Sequence, residues 1–532
     1  MERFLRAAVF SGLCLLGCLL GAGCGLRDRP RGEVKGGGGE LRVLLPAEPR
    51  DLNPGSLRDE IGLQLAPNLY SRLVILDVDG RLHPDLAESW TVDSAGLVYT
   101  FHLRSGVRWH DGRPFSAADV RWTFEHLAPQ RSFAAEALRR IATVETPDER
   151  TAVFHLREPW APLLATLAGY GTFILPRPTP GAPAAGAGLA PVGTGPFRLD
   201  SWSKGREIVL TANPHYFRPG PFLDRVVYHF EPDPERAPQM IAAGEADYTV
   251  LRPLLARLPD LARDPRLAVR TSPSDSRYLL VFNLRRQPFA DRRVREAVSR
   301  TIDRTALLQT ALYGYGSPAV GFYTPAVAWA YDAAARAPVF DPARARTLLD
   351  AAGLAPDAQG IRLRTELLFG DLPPFSELAR DVAAQLRAVG IEVRLTPVTL
   401  AAWMDRALQR HDFALTLMGG SQGPDPENLN VRFGSRGATQ VMGYESPELD
   451  ATLAEGARTT DLPRRARAYY RAQEILARDL PVVPLAEGIH VTISRRGVTG
   501  LPWVEGRGLI PDQELSLVRI VRDGIERRGG PP

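Results

Sequence analysis

LHPDLAESWTVDSAGLVYTFHLRSGVRWHDGRPFSAADVRWTFEHL, residues Leu82–Leu127, is the stretch that decides the fold. SWTVD alternates as a half-buried strand does, and SAG supplies turn chemistry, with Gly96 free to take a positive φ. LVYTFHLR alternates again, with Leu97, Tyr99, Phe101 and Leu103 on one face and Val98, Thr100, His102 and Arg104 on the other. Ser89–Asp93 and Leu97–Arg104 therefore predict a β-hairpin. HDG at 110–112 is a second turn. Ser116 then stands as an N-cap before AADVRWTFEHL, a helix with Val120, Phe124 and Leu127 along one face. Nothing in the unit has the residue types of a catalytic set.

The ordered wording of this unit resembles one family, the extracytoplasmic solute-binding proteins of peptide-type ABC importers (dipeptide-, oligopeptide- and nickel-binding proteins). The residues that carry the likeness are Pro84, Leu86, Ala87, Ser89 and Trp90, then Tyr99, Phe101, Leu103, Arg104, Gly106 and Val107, then Trp109, His110, Asp111, Gly112, Pro114, Ala117, Asp119 and Val120. A match of this length identifies a scaffold; function has to be argued from other parts of the chain.

Two further stretches are similar to the same family. PVGTGPFRLDSW (191–202) is followed by Asn213, Pro214, Tyr216 and Phe217. Gly193 and Gly195 allow a tight turn, and no Lys-Ser/Thr follows to make it a phosphate loop. The third stretch, 268–308, carries Phe282, Asn283, Pro288, Phe289, Asp291, Arg293, Val294, Arg295, Ala297, Ile302, Asp303 and Arg304 in the family's places. Val294, Ala297, Val298 and Ile302 form a helix face that can pack on a strand, and the arginines between them read as a solvated face.

At 532 residues the chain exceeds one core, and two or three domains are expected. Apolar residues make up 44% and charged residues 24%, ordinary for a globular protein. The net charge is only +4, lysine occurs only at Lys35 and Lys204, and no dense basic run interleaved with aromatics appears. Nucleic acid is therefore not an expected partner.

Arg3 and Arg6 precede AAVFSGLCLLGCLL, an apolar run of 14 residues that is short for a bilayer span. GAGC follows, ending at Cys24, and resembles a bacterial lipoprotein cleavage site, with residues 1–23 as the signal peptide. The usual Leu three residues before the Cys is replaced by Gly21; LLGC at Cys18 fits that box better but shortens the apolar run, so both remain open, with Cys24 preferred. All three cysteines lie here, at 14, 18 and 24, so a chain beginning at Cys24 has no internal disulfide and one terminal thiol for a lipid anchor. Residues 24–39, charged and glycine-rich, read as a flexible tether.

Along the body, ELRVLLP (40–46) is the first strand and residues 58–77 a helix running into LVILD. ATVETPDERTAVFHLRE (142–158) is a second hairpin with PDE at its turn, Trp160–Leu167 a short helix, and TFILP a strand end. Residues 178–190, rich in Pro, Gly and Ala, are a surface loop. FDPARARTLLDAAGL (340–354) is a helix capped by Asp341 and stopped by Gly353. RLRTELLFG, SELARDVAAQLRAVG and IEVRLTPV make a strand–helix–strand unit. LAAWMDRALQRHDFALTLMGG adds another helix and strand, so this half alternates β and α. RARAYYRAQEILARDLPVVPLAEG closes with a helix and an apolar strand.

No HExxH, GxSxG or Walker A pattern occurs, and the nine histidines are scattered with none at i, i+4 on a helix. The expectation is a binding protein without a cofactor. The most suggestive stretch is LMGGSQGPDPENL (417–429), where the backbone leaves a strand at its carboxyl end. Gly419, Gly420 and Gly423 let a ligand approach the backbone, Ser421 and Gln422 offer neutral hydrogen-bonding groups, and Asp425 offers a carboxylate. Tyr278 is a further cleft candidate, as are the aromatics of Gly321–Tyr323.

The resemblance implies an α/β, two-lobed periplasmic-binding-protein-like clamshell (class II, cluster C type). Lobe one spans 40–270 with an extra subdomain at about 68–190, lobe two spans 271–485, and residues 486–532 return to lobe one and end as a tail. It further implies capture of solute between the lobes, hinge closure, and delivery to importer membrane subunits by a lipid-anchored monomer in the periplasm or on the outer face of the cytoplasmic membrane. The loop from Glu48 to Asn53 would face the cleft. Peptide-binding members carry an Asp three residues before their acid–proline pair that meets the peptide ammonium; here that pair is Asp425–Pro426, and the place holds Gln422. Either Asp425 or another acid (Glu48, Asp51) takes that role, or the solute has no free amino terminus. Peptide, oligosaccharide or other organic solute, and metal complex all stay open, as does a ligand-sensing receptor.

Overall fold

The computed structural model describes residues 38–54, 60–77, 81–127, 138–169, 171–178, 191–249, 255–501, 503–504, 508–509 and 514–521. The leader, Cys24, the tether through residue 37, most of the 178–190 loop and the final eleven residues lie outside the described residues.

The chain opens with β1 (Glu40–Leu45) and a helix at Glu60–Leu69. It then builds a small antiparallel layer from β2 (Val74–Leu76), β3 (Leu82–Pro84), β4 (Ala87–Val92), β5 (Val98–Leu103), β6 (Ile141–Asp148) and β7 (Thr151–Leu156). The four later strands pair in the order β4–β5–β7–β6. The alternation Tyr99, Phe101, Leu103 points inward, where the helix Ala117–Leu127 covers it with Val120 and Phe124. Phe154 on β7 receives Phe101 and Phe124 edge-on at ring separations of 5.2 and 4.9 Å. Each such pair adds about 0.5–1.5 kcal/mol to the burial of the rings themselves. Ser116 and Asp119 start the helix together: Ser116 N and Oγ both donate to the Asp119 carboxylate, which also accepts from Trp109 Nε1 and Arg177 N.

TFILP forms no strand. Its backbone is satisfied singly: Ile174 N donates to Ser71 O, and Leu175 N to Thr123 Oγ1. With no continuous neighbour to ladder against, the alternation is not enough to make a strand.

The main sheet contains β1, β8 (Phe197–Ser203), β9 (Glu207–Ala212), β10 (Arg225–Phe230), β11 (Tyr248–Thr249), β12 (Leu267–Phe282), β13 (Ser317–Pro318), β14 (Leu363–Gly370), β15 (Ile391–Val398), β16 (Leu415–Ser421) and β17 (Val482–Arg495). Its order is β15–β14–β16–β12–β17–β11–β1–β10–β9–β8, with β13 beside β17. β14, β15 and β16 run parallel around the helix Phe375–Arg387, as a strand–helix–strand unit requires. This is a mixed α/β sheet shared by two lobes, the clamshell expected from the sequence.

The two longest strands of the sheet, β12 and β17, lie side by side at its middle. Leu267–Pro273 pairs with Ile489–Arg495 on the β11 side, and Arg277–Val281 pairs with Val482–Glu487 on the β16 side. One register shift falls between them, at Pro273/Arg277, and a second inside the latter segment, at Tyr278/Leu279.

Arginines that read as a solvated face are in part buried. Arg292 and Arg293 are exposed, but Arg295 and Arg304 are 7% and 8% exposed. Arg295 donates to the carbonyls of Phe289, Ala290, Asp479 and Leu480, and Arg304 to that of Pro484. A guanidinium has five donors, so it can satisfy several loose carbonyls at once and tie a helix to the end of β17's approach.

Candidate functional site

The end of β16 sits against the bend of β12. Ser276, Arg277 and Tyr278 lie opposite Ser421, Gly420 and Gly419. Gly419 has a packing reason: a Cβ there would come within 2.9–3.0 Å of Phe375 and Tyr278. Those two rings meet edge-on at 5.8 Å, so Tyr278 forms an aromatic shelf over bare backbone. Gly420 takes φ +126°, which L side chains rarely adopt, and the Arg432 guanidinium lies across it.

The polar groups of this edge make hydrogen bonds within the protein. Gln422 is buried; its backbone N–H donates to Asp275 O (3.0 Å) and its Nε2 to Gly420 O (3.0 Å), so it shapes the turn. Asp425 is held by Arg465 Nη2 at 2.9 and 3.0 Å, a pair buried under Trp329 and Tyr469. Ser421 Oγ donates to Asp275 and accepts from Gly423 N. Tyr323 donates to Gly423 O at 3.4 Å; burial and the nearby Asp425 and Asp275 raise its hydroxyl well above the usual range.

Behind this edge, at the register shift, Arg277 is 1% exposed and pairs with Glu487 at 2.9 Å while donating to Gly321 O. Burial outweighs that pairing and pushes the Glu487 carboxyl up to about 7. Burial likewise lowers His490 and raises Glu427 to about 7.

Glu48 lies apart from this cluster. Its carboxylate accepts from Trp202 Nε1 (2.8 Å) and Gly205 N (3.1 Å), at the β8–β9 turn. Asp51 caps its own loop through Leu52 N and Asn53 N. The structure thus brings Gly420, Ser421, Gln422, Tyr278 and, one layer back, Asp425 into one region, and leaves Glu48 outside it.

Sequence reasoning passed over Asp275, Arg432, Arg277 and Glu487. The signal for Asp275 was present: SPSDS places a Pro and small polar residues inside a strand, which marks a bend.

A second contact lies away from this edge. Ala161 N donates to Ala457 O at 2.8 Å, and Ala457 completes the core of the small antiparallel layer. Beside it a cavity of about 320 Å³ opens between the β4–β5 turn at Gly96 and the residues Glu455, Arg458, Thr460 and Arg464. Among the described residues no cluster of His, Cys, Asp or Glu could hold a metal ion, and no helix is long and apolar enough to cross a membrane.

Comparison with known proteins agrees on one family. Residues 81–440 match the model for bacterial extracellular solute-binding proteins, family 5 Middle. The chain is 28% identical over 489 residues to the glutathione-binding protein GsiB of Salmonella typhi, covering 88% of this chain and 91% of that one. Among solved structures it is similar to the periplasmic binding protein DppA of Helicobacter pylori in complex with the peptide STSA (25% identity, TM-score 0.75, 91% of this chain and 99% of that). It is similar also to AgaA of A. tumefaciens R10 in complex with agropinic acid (26% identity, TM-score 0.75, the same coverage). With its three sequence landmarks, its shared two-lobe sheet and these likenesses, the chain belongs to the bacterial extracellular solute-binding proteins of family 5.

Proposed function

We propose that the chain captures a peptide or similar small organic solute outside the cytoplasmic membrane and delivers it to the membrane subunits of an ABC importer. A lipid on Cys24 anchors it, and residues 24–39 let the body turn over its partner. The observation that carries this reading is the edge where β16 ends against β12. Bare glycine backbone, the Tyr278 ring and the polar groups of Ser421 and Gln422 meet there, beside the bend where β12 and β17 shift register. That is where an open α/β sheet binds its ligands.

The hinge is assigned to Pro273–Arg277 of β12 and Ala486–Ile489 of β17, with lobe one as 40–270 plus 486 onward and lobe two as 271–485. Closure orders the lobes around the solute and expels water, so affinity rests on polar groups already in place. The relatives' named ligands, glutathione, a peptide and agropinic acid, are all organic solutes with charged groups, which favours this class over a neutral sugar. No catalytic step is part of the proposal.

The test is a thermal-shift screen of the purified protein with short peptides, opine-like conjugates, oligosaccharides and metal chelates. A solute at a hundredfold its Kd should stabilise by about 2.7 kcal/mol. Stabilisation by oligosaccharides alone would overturn the assignment.

A further inference from the structure

Among the described acids around the end of β16, Asp425 and Glu487 have guanidinium partners, while Glu427 and Asp275 meet only neutral groups, the Glu427 carboxyl buried and Asp275 half-buried at the edge. Asp425 has Arg465, Glu487 has Arg277, and Glu427 accepts from Asn430 Nδ2 at 2.9 Å. Asp275 has only the Ser421 hydroxyl. Among the cations, Arg432 is the counterpart. Its Nη2 donates to Ser421 O at 2.7 Å and its Nε to Asn428 Oδ1 at 3.1 Å, both neutral acceptors. Among the described residues neither Asp275 nor Arg432 belongs to an ion pair.

One residue holds both. Ser421 binds Asp275 through its side chain and Arg432 through its carbonyl, so a carboxylate and a guanidinium stand on either side of it without meeting. Gly420 leaves the space over the backbone open between them. Opposite charges that near each other normally collapse into a pair unless something holds them apart or something else fits between. Here the turn supplies the restraint: Gln422 N fixes Asp275 O, and Asn428 fixes Arg432.

We infer that Asp275 and Arg432 together read an α-amino-carboxylate head group, Asp275 taking its ammonium and Arg432 its carboxylate. Such a head carries both charges on one carbon and joins the rest of the solute through its side chain, as in a γ-linked glutamyl peptide or an amino-acid conjugate. An ordinary peptide carries its two charges at opposite ends and satisfies only one of the two residues. The inference rests on the solute-binding reading above and narrows its substrate class.

The experiment is isothermal titration of the purified protein with γ-Glu-Ala and with its α-linked isomer, which has the same atoms but no free ammonium and carboxylate on one carbon. The γ isomer should bind about tenfold tighter or more, since one charge-assisted contact is gained. N-acetylation of the γ isomer should remove that advantage, and Asp275→Asn and Arg432→Gln should each remove it as well. Equal binding of the isomers, tighter binding of the α isomer, or a preference that survives Asp275→Asn would overturn the inference. If either variant fails to fold, the wild-type comparison of the three ligands decides alone. Binding of other solutes in the thermal-shift screen but of neither isomer defeats this inference only; no stabilisation by any solute defeats the binding reading too.

Discussion

His110 and Asp119 in the Leu82–Leu127 unit can be set beside Asp275 and Arg432 at the end of β16. Asp119 accepts from four donors of its own surroundings. His110 accepts from Gly193 N at Nδ1 and donates from Nε2 to Gly195 O, both at 3.1 Å, so the first sequence landmark is clasped to the second. Asp275 and Arg432 have one and two neutral partners. In the first region polar groups are consumed by the fold; in the second, by the inference above, their charges are left for a solute. Substitutions in the first should therefore change stability and spare solute preference, and those in the second the reverse.

The harshest test is Gly193→Ala. Its Cβ would meet Leu69 O at 1.8 Å, and backbone on backbone cannot give way cheaply. The loss should exceed about 4 kcal/mol or leave no folded protein. A urea midpoint near wild type would break the comparison. Next is Phe101→Ala, which empties the centre of the small layer's core and should cost about 3–5 kcal/mol with no change in the order of solute affinities.

Two buried groups give opposite pH signatures. Burial holds His110 at about 4, below its ordinary 6.5. Its contribution is whole above pH 6.5 and is lost as pH falls toward 4. Glu487 sits at about 7, above its ordinary 4.5, so its contribution is greatest below pH 4.5 and is lost as pH rises toward 7. Relative to wild type, Glu487→Gln should gain stability progressively between pH 4.5 and 7, and His110→Asn should gain between 6.5 and 4, each by at most about 3 kcal/mol. Chemical denaturation across this range reads both, and parallel wild-type and variant profiles would remove the effect. The mildest expectation is Ser421→Ala. Exposed, with its hydroxyl only between Asp275 and Gly423 N, it should shift stability by no more than about 0.5 kcal/mol while lowering solute affinity several-fold. A large stability loss would place Ser421 with the scaffold instead.

Much of the scaffold was legible because its elements are local. The hairpin β4–β5, the Ser116 start and the Asp341 cap follow from spacing and residue type within a dozen positions. TFILP failed because alternation reports a buried face and not the presence of a neighbouring strand. In the site, Gly420, Ser421 and Gln422 could be singled out because they crowd one loop. For Asp275 the SPSDS bend was readable but its partner was not, since it lies 146 positions from Ser421 and meets it only through the pairing of β12 with β16. Asp425 looked free for the same reason: its partner Arg465 is 40 residues on, in a helix whose register against the loop no local pattern records.

The ladder between β12 and β17 has a consequence for how the molecule comes apart. β11 pairs with β17 and β16 with β12, so one sheet runs unbroken through both long strands. Neither lobe owns a complete sheet. A fragment carrying one of them would end in a raw, unpaired strand edge, the kind that recruits other chains. The two lobes are thus bound to one fate in denaturation, melting together or not at all.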